Sequence, residues 1–221
     1  MTKAVFFDMN ETLLNLSLLK AQFDKHFNDR YVLKYWFTKL LYSSSIMGIM
    51  DEYQNFGKLA EIALENLFFE NNKPLSSETK AEILGEFRRL PAYKDVIPAL
   101  DILRQKKIRV IAVSNSSLAM IKEQLTNSGI IDKFDSYYSV DNVKKYKPFK
   151  DIYLSSAKQE GLKTEDIVMV ATHDWDLFGA KKAGLRIAYV KRKEEIYNPY
   201  YLQPDFKDSN LPDLIQQIIS S

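Results

Sequence analysis

The chain has 221 residues, 46% of them apolar and 27% charged, a balance that fits a folded globular domain and excludes disordered and fibrous classes. Thirty-one basic against 29 acidic residues leave a formal charge of +2, too little for a broad field that grips nucleic acid or an anionic membrane. There is no cysteine and there are only two histidines, His26 and His173, so disulfides, a cysteine nucleophile and a histidine-built zinc site are excluded.

The first element is Ala4-Val5-Phe6-Phe7, a four-residue apolar run that stops at Asp8. It is too short for a signal peptide or an anchor. From there to about residue 92 nothing reads as a strand. Helical patterns occupy Leu16–Phe27, Tyr31–Met50, Phe56–Phe69 and Ser77–Leu90, the last preceded by the capping run Ser76-Ser77-Glu78-Thr79. Its most apolar part, Tyr35 to Met50, is interrupted by Lys39, Ser43-Ser44-Ser45 and Gly48 and falls short of the ~20 residues that span a bilayer. A cytoplasmic protein is expected.

Beyond Leu90-Pro91-Ala92 strands and helices alternate. Ile97, Leu100 and Leu103 mark a helix before the strand Val110–Val113, which ends at Ser114. Ile121 and Leu125 mark the next helix, and Ile152, Leu154 and Ala157 another. Strands at Ile167–Val170 and Ile187–Val190 follow, then a loop and an amphipathic helix between Asp205 and Ser221. Near-continuous apolar strands separated by helices predict an α/β fold with an open, mainly parallel sheet. The predicted division is a core of residues 1–14 and 92–221, interrupted by a helical insert over 15–91.

In such a sheet ligands bind outside the carboxyl ends of the strands, where Asp8, Ser114 and the segment Thr172 to Asp176 all fall. Asp8 reads either as a catalytic carboxylate, held by the Thr12 hydroxyl, or as a cap of the following turn. Ser114-Asn115 reads as a helix N-cap, an anion site, or both. Lys147 reads as a site cation or as one more solvated charge in the run Lys144, Lys145, Lys147, Lys150.

Taken together, Asp8-Met9-Asn10-Glu11-Thr12-Leu13, Val113-Ser114-Asn115-Ser116, Tyr146-Lys147-Pro148 and Trp175-Asp176 with Gly179-Ala180 resemble the haloacid dehalogenase-like hydrolase superfamily over essentially the whole chain. The resemblance implies a Rossmann-like core and a mobile helical cap formed by residues 15–91. It implies that Asp8 is a nucleophile forming a covalent intermediate that water hydrolyses. Lys147 would balance Asp8 and the substrate charge, Ser114 and Asn115 would bind the anionic end of the substrate, and Asp176 would orient Lys147 or the hydrolytic water.

Two positions separate the branches of that superfamily. Phosphatase members carry an acid two residues after the nucleophile, where this chain has Asn10, and an acidic metal ligand where it has Thr172. An alkoxide leaving group needs that proton and a halide does not. Ser139-Val140-Asp141, Tyr153 and Trp175-Asp176 add a resemblance to the type II (L-2-haloacid) dehalogenases, in whose active site a tyrosine matches Tyr153, which otherwise reads as a ring packed on the helix after Pro148. Three departures stand beside it. Aligning Trp36 with the group's tryptophan puts Phe37 where a cap arginine would bind substrate, and Ala171 and His173 replace a serine and an asparagine. His173 reads as a general base for ester hydrolysis or as a polar loop residue. Of the dense cap cluster Tyr35, Trp36, Phe37, Leu40, Leu41 and Tyr42, some members face the cleft or the core. Trp175 reads as packing, and His26 as a surface-helix residue without a role.

The expected function is therefore a hydrolase most like a 2-haloacid dehalogenase, acting on a small anionic acid without a cofactor. Its site consists of Asp8, Thr12, Lys147, Asp176 and His173, with Asn10, Phe37, Ser114, Asn115 and Tyr153 around the substrate. The alternatives are a Mg²⁺-dependent phosphatase for good leaving groups, with Asp174 as a shifted ligand, and a non-catalytic binding protein. Neither nucleic acid nor membrane is an expected partner; a homodimer is compatible with the sequence.

Overall fold

The apolar run after Lys3 forms β1 (Ala4–Phe7), buried along its whole length. In the computed structural model, which describes residues 1–221, β1 lies inside a six-stranded sheet. Its other strands are β2 (Arg109–Ser114), β3 (Ser136–Ser139), β4 (Ile167–Ala171), β5 (Arg186–Val190) and β6 (Phe206–Asp208). Every pairing is parallel and the order is β3-β2-β1-β4-β5-β6. β1 pairs with β2 through Val5 opposite Val110 and with β4 through Val5 opposite Val168. The four strands expected from apolar runs are the four central ones. The two edge strands escape that reading because they are short and only half-buried: β3 is Ser-Tyr-Tyr-Ser and β6 is Phe-Lys-Asp. The segment after Asp205 is thus a strand followed by a helix rather than a loop followed by a helix.

Four helices follow β1 within residues 15–91: α1 (Ser17–Asp24), α2 (Val32–Ile49), α3 (Phe56–Glu70) and α4 (Ser77–Glu86). The Ser76 hydroxyl caps α4 by accepting from the Thr79 N–H at 3.0 Å, and the helix ends four residues before Leu90. Trp36 is fully buried among these helices. Its indole N–H donates to the Ala60 carbonyl at 3.1 Å, and its ring meets Phe23 and Phe87 at 5.4 and 6.1 Å. The neighbouring Tyr35 and Tyr42 point to solvent while Leu40 is buried, so the aromatic cluster divides between faces. His26 lies just past the end of α1, half-buried, 5.6 Å from the Phe68 ring, and not on an exposed helix face.

The remaining helices, α5 (Val96–Gln105), α6 (Leu118–Asn127), α7 (Lys150–Gln159), α8 (Asp174–Lys182) and α9 (Leu211–Ile219), cover the sheet. The inserted helices rest on the loop after β3. The Tyr146 hydroxyl donates to the Gln54 carbonyl and accepts from the Gln54 N–H, Lys145 pairs with Asp51 at 2.6 Å, and Phe149 packs against Gly48. On the far side Lys34 of α2 meets Glu195 at 2.7 Å. One continuous apolar core joins both layers. No helix is long and apolar enough to cross a membrane.

Candidate active site

The strand order reverses direction between β1 and β4, and the carboxyl edge beside such a switch point is where open α/β sheets form their ligand crevice. Asp8 follows β1 there, its N–H donating to the Val170 carbonyl of β4 at 3.0 Å. The segment after β4 carries Thr172 and His173, and β2 ends on Ser114.

Around Asp8 the polar groups form a closed chain. Thr12 donates its hydroxyl to Asp8 Oδ2 at 2.7 Å, and its own oxygen accepts the Thr172 N–H at 3.0 Å. Lys147 Nζ donates to Asp8 Oδ1 at 3.1 Å and to Asp176 Oδ2 at 2.8 Å, with 1% of its side chain exposed. His173 Nδ1 stands 3.1 Å from Asp8 Oδ2, and its Nε2 stands 3.0 Å from Glu11 Oε2. Glu11 in turn accepts from Lys193. The Glu11 backbone is left-handed, with φ of 62°, which closes the tight loop in which Leu13 and Leu14 both donate to the Met9 carbonyl.

These neighbours set the charges. Burial alone would raise the Asp8 carboxyl, but Lys147, His173 and the Thr12 hydroxyl together hold it far below the usual carboxylate range. Burial and the nearby charge of Asp8 instead push Asp176 up, against the pull of Lys147. Lys147 is desolvated yet raised by its two carboxylates, so it stays an ammonium. Burial would lower His173, but hydrogen bonds and charge from Asp8 and Glu11 raise it to about 9. At neutral pH the imidazole is therefore a cation donating to two carboxylates. The expected near-neutral base is corrected on this point: its two acidic partners hold the proton on.

Each of the other expected site residues has a definite place. Ser114 is buried, and its hydroxyl oxygen accepts the Ser116 N–H at 3.1 Å. The Asn115 side-chain oxygen accepts the Lys147 N–H at 2.8 Å, and the Asn10 oxygen accepts from Gln124 at 3.1 Å. In both asparagines the oxygen is engaged and the amide nitrogen is left free to donate. Phe37 lines a cleft of about 640 Å³ together with Glu11, Leu41, His173, Trp175 and Lys193. Its ring lies 6.2 Å from His173, which is also stacked on Trp175 at 5.2 Å. Trp175 is therefore part of the cleft wall and not merely packing. Tyr153 departs from its expected place beside the substrate. It is fully buried, and its hydroxyl donates to Asp176, so it touches a site carboxylate and no open space.

The residues do not fit the divalent metal that phosphatase relatives would imply. Both oxygens of Asp8 and both of Asp176 are taken by Lys147, His173, Thr12 or Tyr153. Thr172 replaces the acid. Asp174, the shifted ligand considered above, instead accepts from the Trp175 and Asn198 N–H groups at 2.7 and 3.1 Å. No group of three or more acidic or histidine side chains converges in a way that could hold a metal ion.

Sequence reasoning passed over Glu11, Lys193 and Gln124. Glu11 lies inside the Asp8–Leu13 motif. A lone histidine beside a catalytic-type carboxylate calls for a second acidic partner, and that was the available signal. Lys193 and Gln124 come from distant segments and carry none.

A parallel sheet with a buried, lysine-paired aspartate after its first strand defines a hydrolase of the aspartate-centred α/β class. The haloacid dehalogenase-like hydrolase model matches residues 2–184, and the chain belongs to that family. It is similar to the (S)-2-haloacid dehalogenase of Pseudomonas sp. strain YL, 25% identical over 97% of this chain and 93% of the relative. It is likewise similar to haloacetate dehalogenase H-2 of Moraxella sp. strain B, 26% identical over 92% of each chain. The solved L-2-haloacid dehalogenase from Xanthobacter autotrophicus with chloropropionic acid covalently bound shares the fold, with a TM-score of 0.91 at 23% identity over 99% of both chains.

Proposed function

We propose that the protein hydrolyses the carbon–halogen bond of a small 2-haloacid through an ester formed on Asp8, without a metal ion. The observation that carries this reading is the state of Asp8: a buried carboxylate kept anionic by Lys147 and by His173, at the ligand edge of the sheet. An Asp8 oxygen attacks C2 of the substrate, the carbon–halogen bond breaks, and the halide leaves with the electron pair. Halide departure needs no proton, which accords with Asn10 at the position of the phosphatases' acid.

Esterification removes the charge of Asp8. His173 then keeps one acidic partner, Glu11, instead of two, its hold on the proton weakens, and that proton passes to solvent. The neutral imidazole takes a proton from the water that attacks the ester carbonyl, releasing the 2-hydroxyacid and restoring Asp8. Lys147, held by Asp176, which Tyr153 in turn bonds, remains charged throughout and steadies the carboxylate and the oxyanion of the ester. Free N–H groups on Asn10 and Asn115, with the Ser114 hydroxyl, supply donors for the acid's anionic end. The helices of residues 15–91 act as a cap, with Phe37 as an apolar wall where the dehalogenase group has an arginine. The names of the relatives from Pseudomonas and Moraxella support this substrate class.

The test is halide release from both enantiomers of 2-chloropropionate with EDTA present. Release from the (S)-acid is expected, lowered at least about a thousandfold by Asp8→Asn. Full release by Asp8→Asn, or turnover confined to phosphate esters with added Mg²⁺, would overturn the reading.

A further inference from the structure

Gln124 has no exposed surface, and it comes from α6, 114 residues along the chain from Asn10. Its Nε2 donates to the Phe87 carbonyl at 2.7 Å and to Asn10 Oδ1 at 3.1 Å. The Phe87 carbonyl can only accept, so it dictates which end of the Gln124 amide faces it. Gln124 Oε1 is turned away as a result, and there it is buried without any partner.

The same nitrogen dictates Asn10. With Nε2 pointing at it, Asn10 must offer its oxygen, because its nitrogen would set donor against donor. Asn10 Nδ2 therefore faces the other way, donates to no protein group, and is not among the buried atoms left unsatisfied. A buried, unpartnered amide oxygen is costly, and an apolar side chain of similar shape would avoid the cost. Gln124 satisfies the Phe87 carbonyl at the end of α4, and the same nitrogen accounts for the orientation of Asn10.

We infer that Gln124 is a positioning residue: by clamping the oxygen of Asn10 it holds the Asn10 amide N–H toward the anionic substrate, two residues along the loop from Asp8. A free amide can flip and offer its oxygen, which would repel an anion; the clamped amide offers only its donor. The inference rests on the proposed function, since it supposes an anion beside Asp8.

A double-mutant cycle of Gln124→Met and Asn10→Ala, read as kcat/KM for 2-chloropropionate with thermal melts of all four proteins, tests it. Each single change is expected to lower kcat/KM about tenfold, the size of one hydrogen bond to a charged group. The double variant is expected to be no worse than Asn10→Ala alone, because Gln124 acts only through Asn10. Multiplying losses, or an unchanged kcat/KM in Gln124→Met, would overturn the inference; a purely structural role for Gln124 would persist in the Asn10→Ala background. If Gln124→Met does not fold, Gln124→Leu enters the same cycle. Asp8→Asn, run in parallel, separates the two levels. Loss of turnover there with an additive cycle refutes the role of Gln124 alone, and retained turnover refutes the proposed function itself.

Discussion

His173 and Asp8 show how two ordinary residues acquire unusual charge states from their neighbours. Neither shift is present in the free side chain. The imidazole is largely buried, which by itself disfavours its charge, yet it stands between two carboxylates at 3.0 and 3.1 Å. Its pKa is raised from 6.5 to about 9 in the folded protein. A raised pKa means that the folded state binds the proton more tightly than the unfolded chain. The resulting stability is fully present below pH 6.5 and is lost as pH rises through about 9. His173→Gln should therefore destabilise the protein most near pH 6, with the gap to wild type narrowing toward pH 10. Urea midpoints at both pH values check this, and a gap that does not change with pH would contradict it. Asp8 contributes in the opposite sense. Its depressed pKa stabilises the fold above the ordinary carboxylate range, and that contribution disappears as pH falls through the folded value.

The position of Lys147 depends on the meeting of α8 with the loop before α7. Gly179 of α8 lies so close to Pro148 that a Cβ there would overlap the Pro148 carbonyl and ring. In an exposed helix Gly→Ala is stabilising by about 1 kcal/mol. At Gly179 the sign should reverse. Gly179→Ala is expected to cost about 1–3 kcal/mol through overpacking, lowering Tm by roughly 2–4 °C per kcal/mol for a chain of this size. It should also lower kcat, because Pro148 displaces Lys147 from its two carboxylates. A thermal melt and a kcat measurement decide the matter, and a raised Tm with unchanged kcat would show that the loop yields freely. The same reasoning identifies the Gly48–Phe149 approach as the point where α2 rests on that loop.

At the scale of the whole molecule, the inserted helices and the sheet share one core. Fifty-nine buried apolar residues form a single cluster that runs from Phe6 and Val168 in the sheet to Trp36 and Phe68 in the insert. Polar contacts secure the insert on both flanks, through Tyr146, Lys145 and Tyr53 on one side and Lys34 on the other. A continuous core predicts one cooperative thermal transition, with calorimetric and van't Hoff enthalpies equal. Two resolved transitions, the first assigned to residues 15–91, would show instead that the insert unfolds by itself.

Local pattern was enough for the central strands and the inserted helices. The reason is that buried parallel strands and amphipathic helices leave apolar periodicities in adjacent residues. The order of motifs likewise grouped Asp8, Thr12, Lys147, Asp176 and Asn115, which hydrogen bonds join in the fold. Edge strands β3 and β6 were not legible, since an edge strand is stabilised by a partner's backbone rather than by its own apolar content. Nor was the chemistry of His173, because a pKa depends on which charges lie within a few ångströms, and Glu11 and Asp8 reach it from 162 and 165 residues away. Tyr153 was assigned to the substrate by motif, but the packing of α7 against α8 turned it onto Asp176. The sequence by itself determined the central strands, the inserted helices and the order of the motifs. Only the tertiary structure decided which side chains share a proton, which way an amide points and which residues see the cleft, because these depend on distances through space.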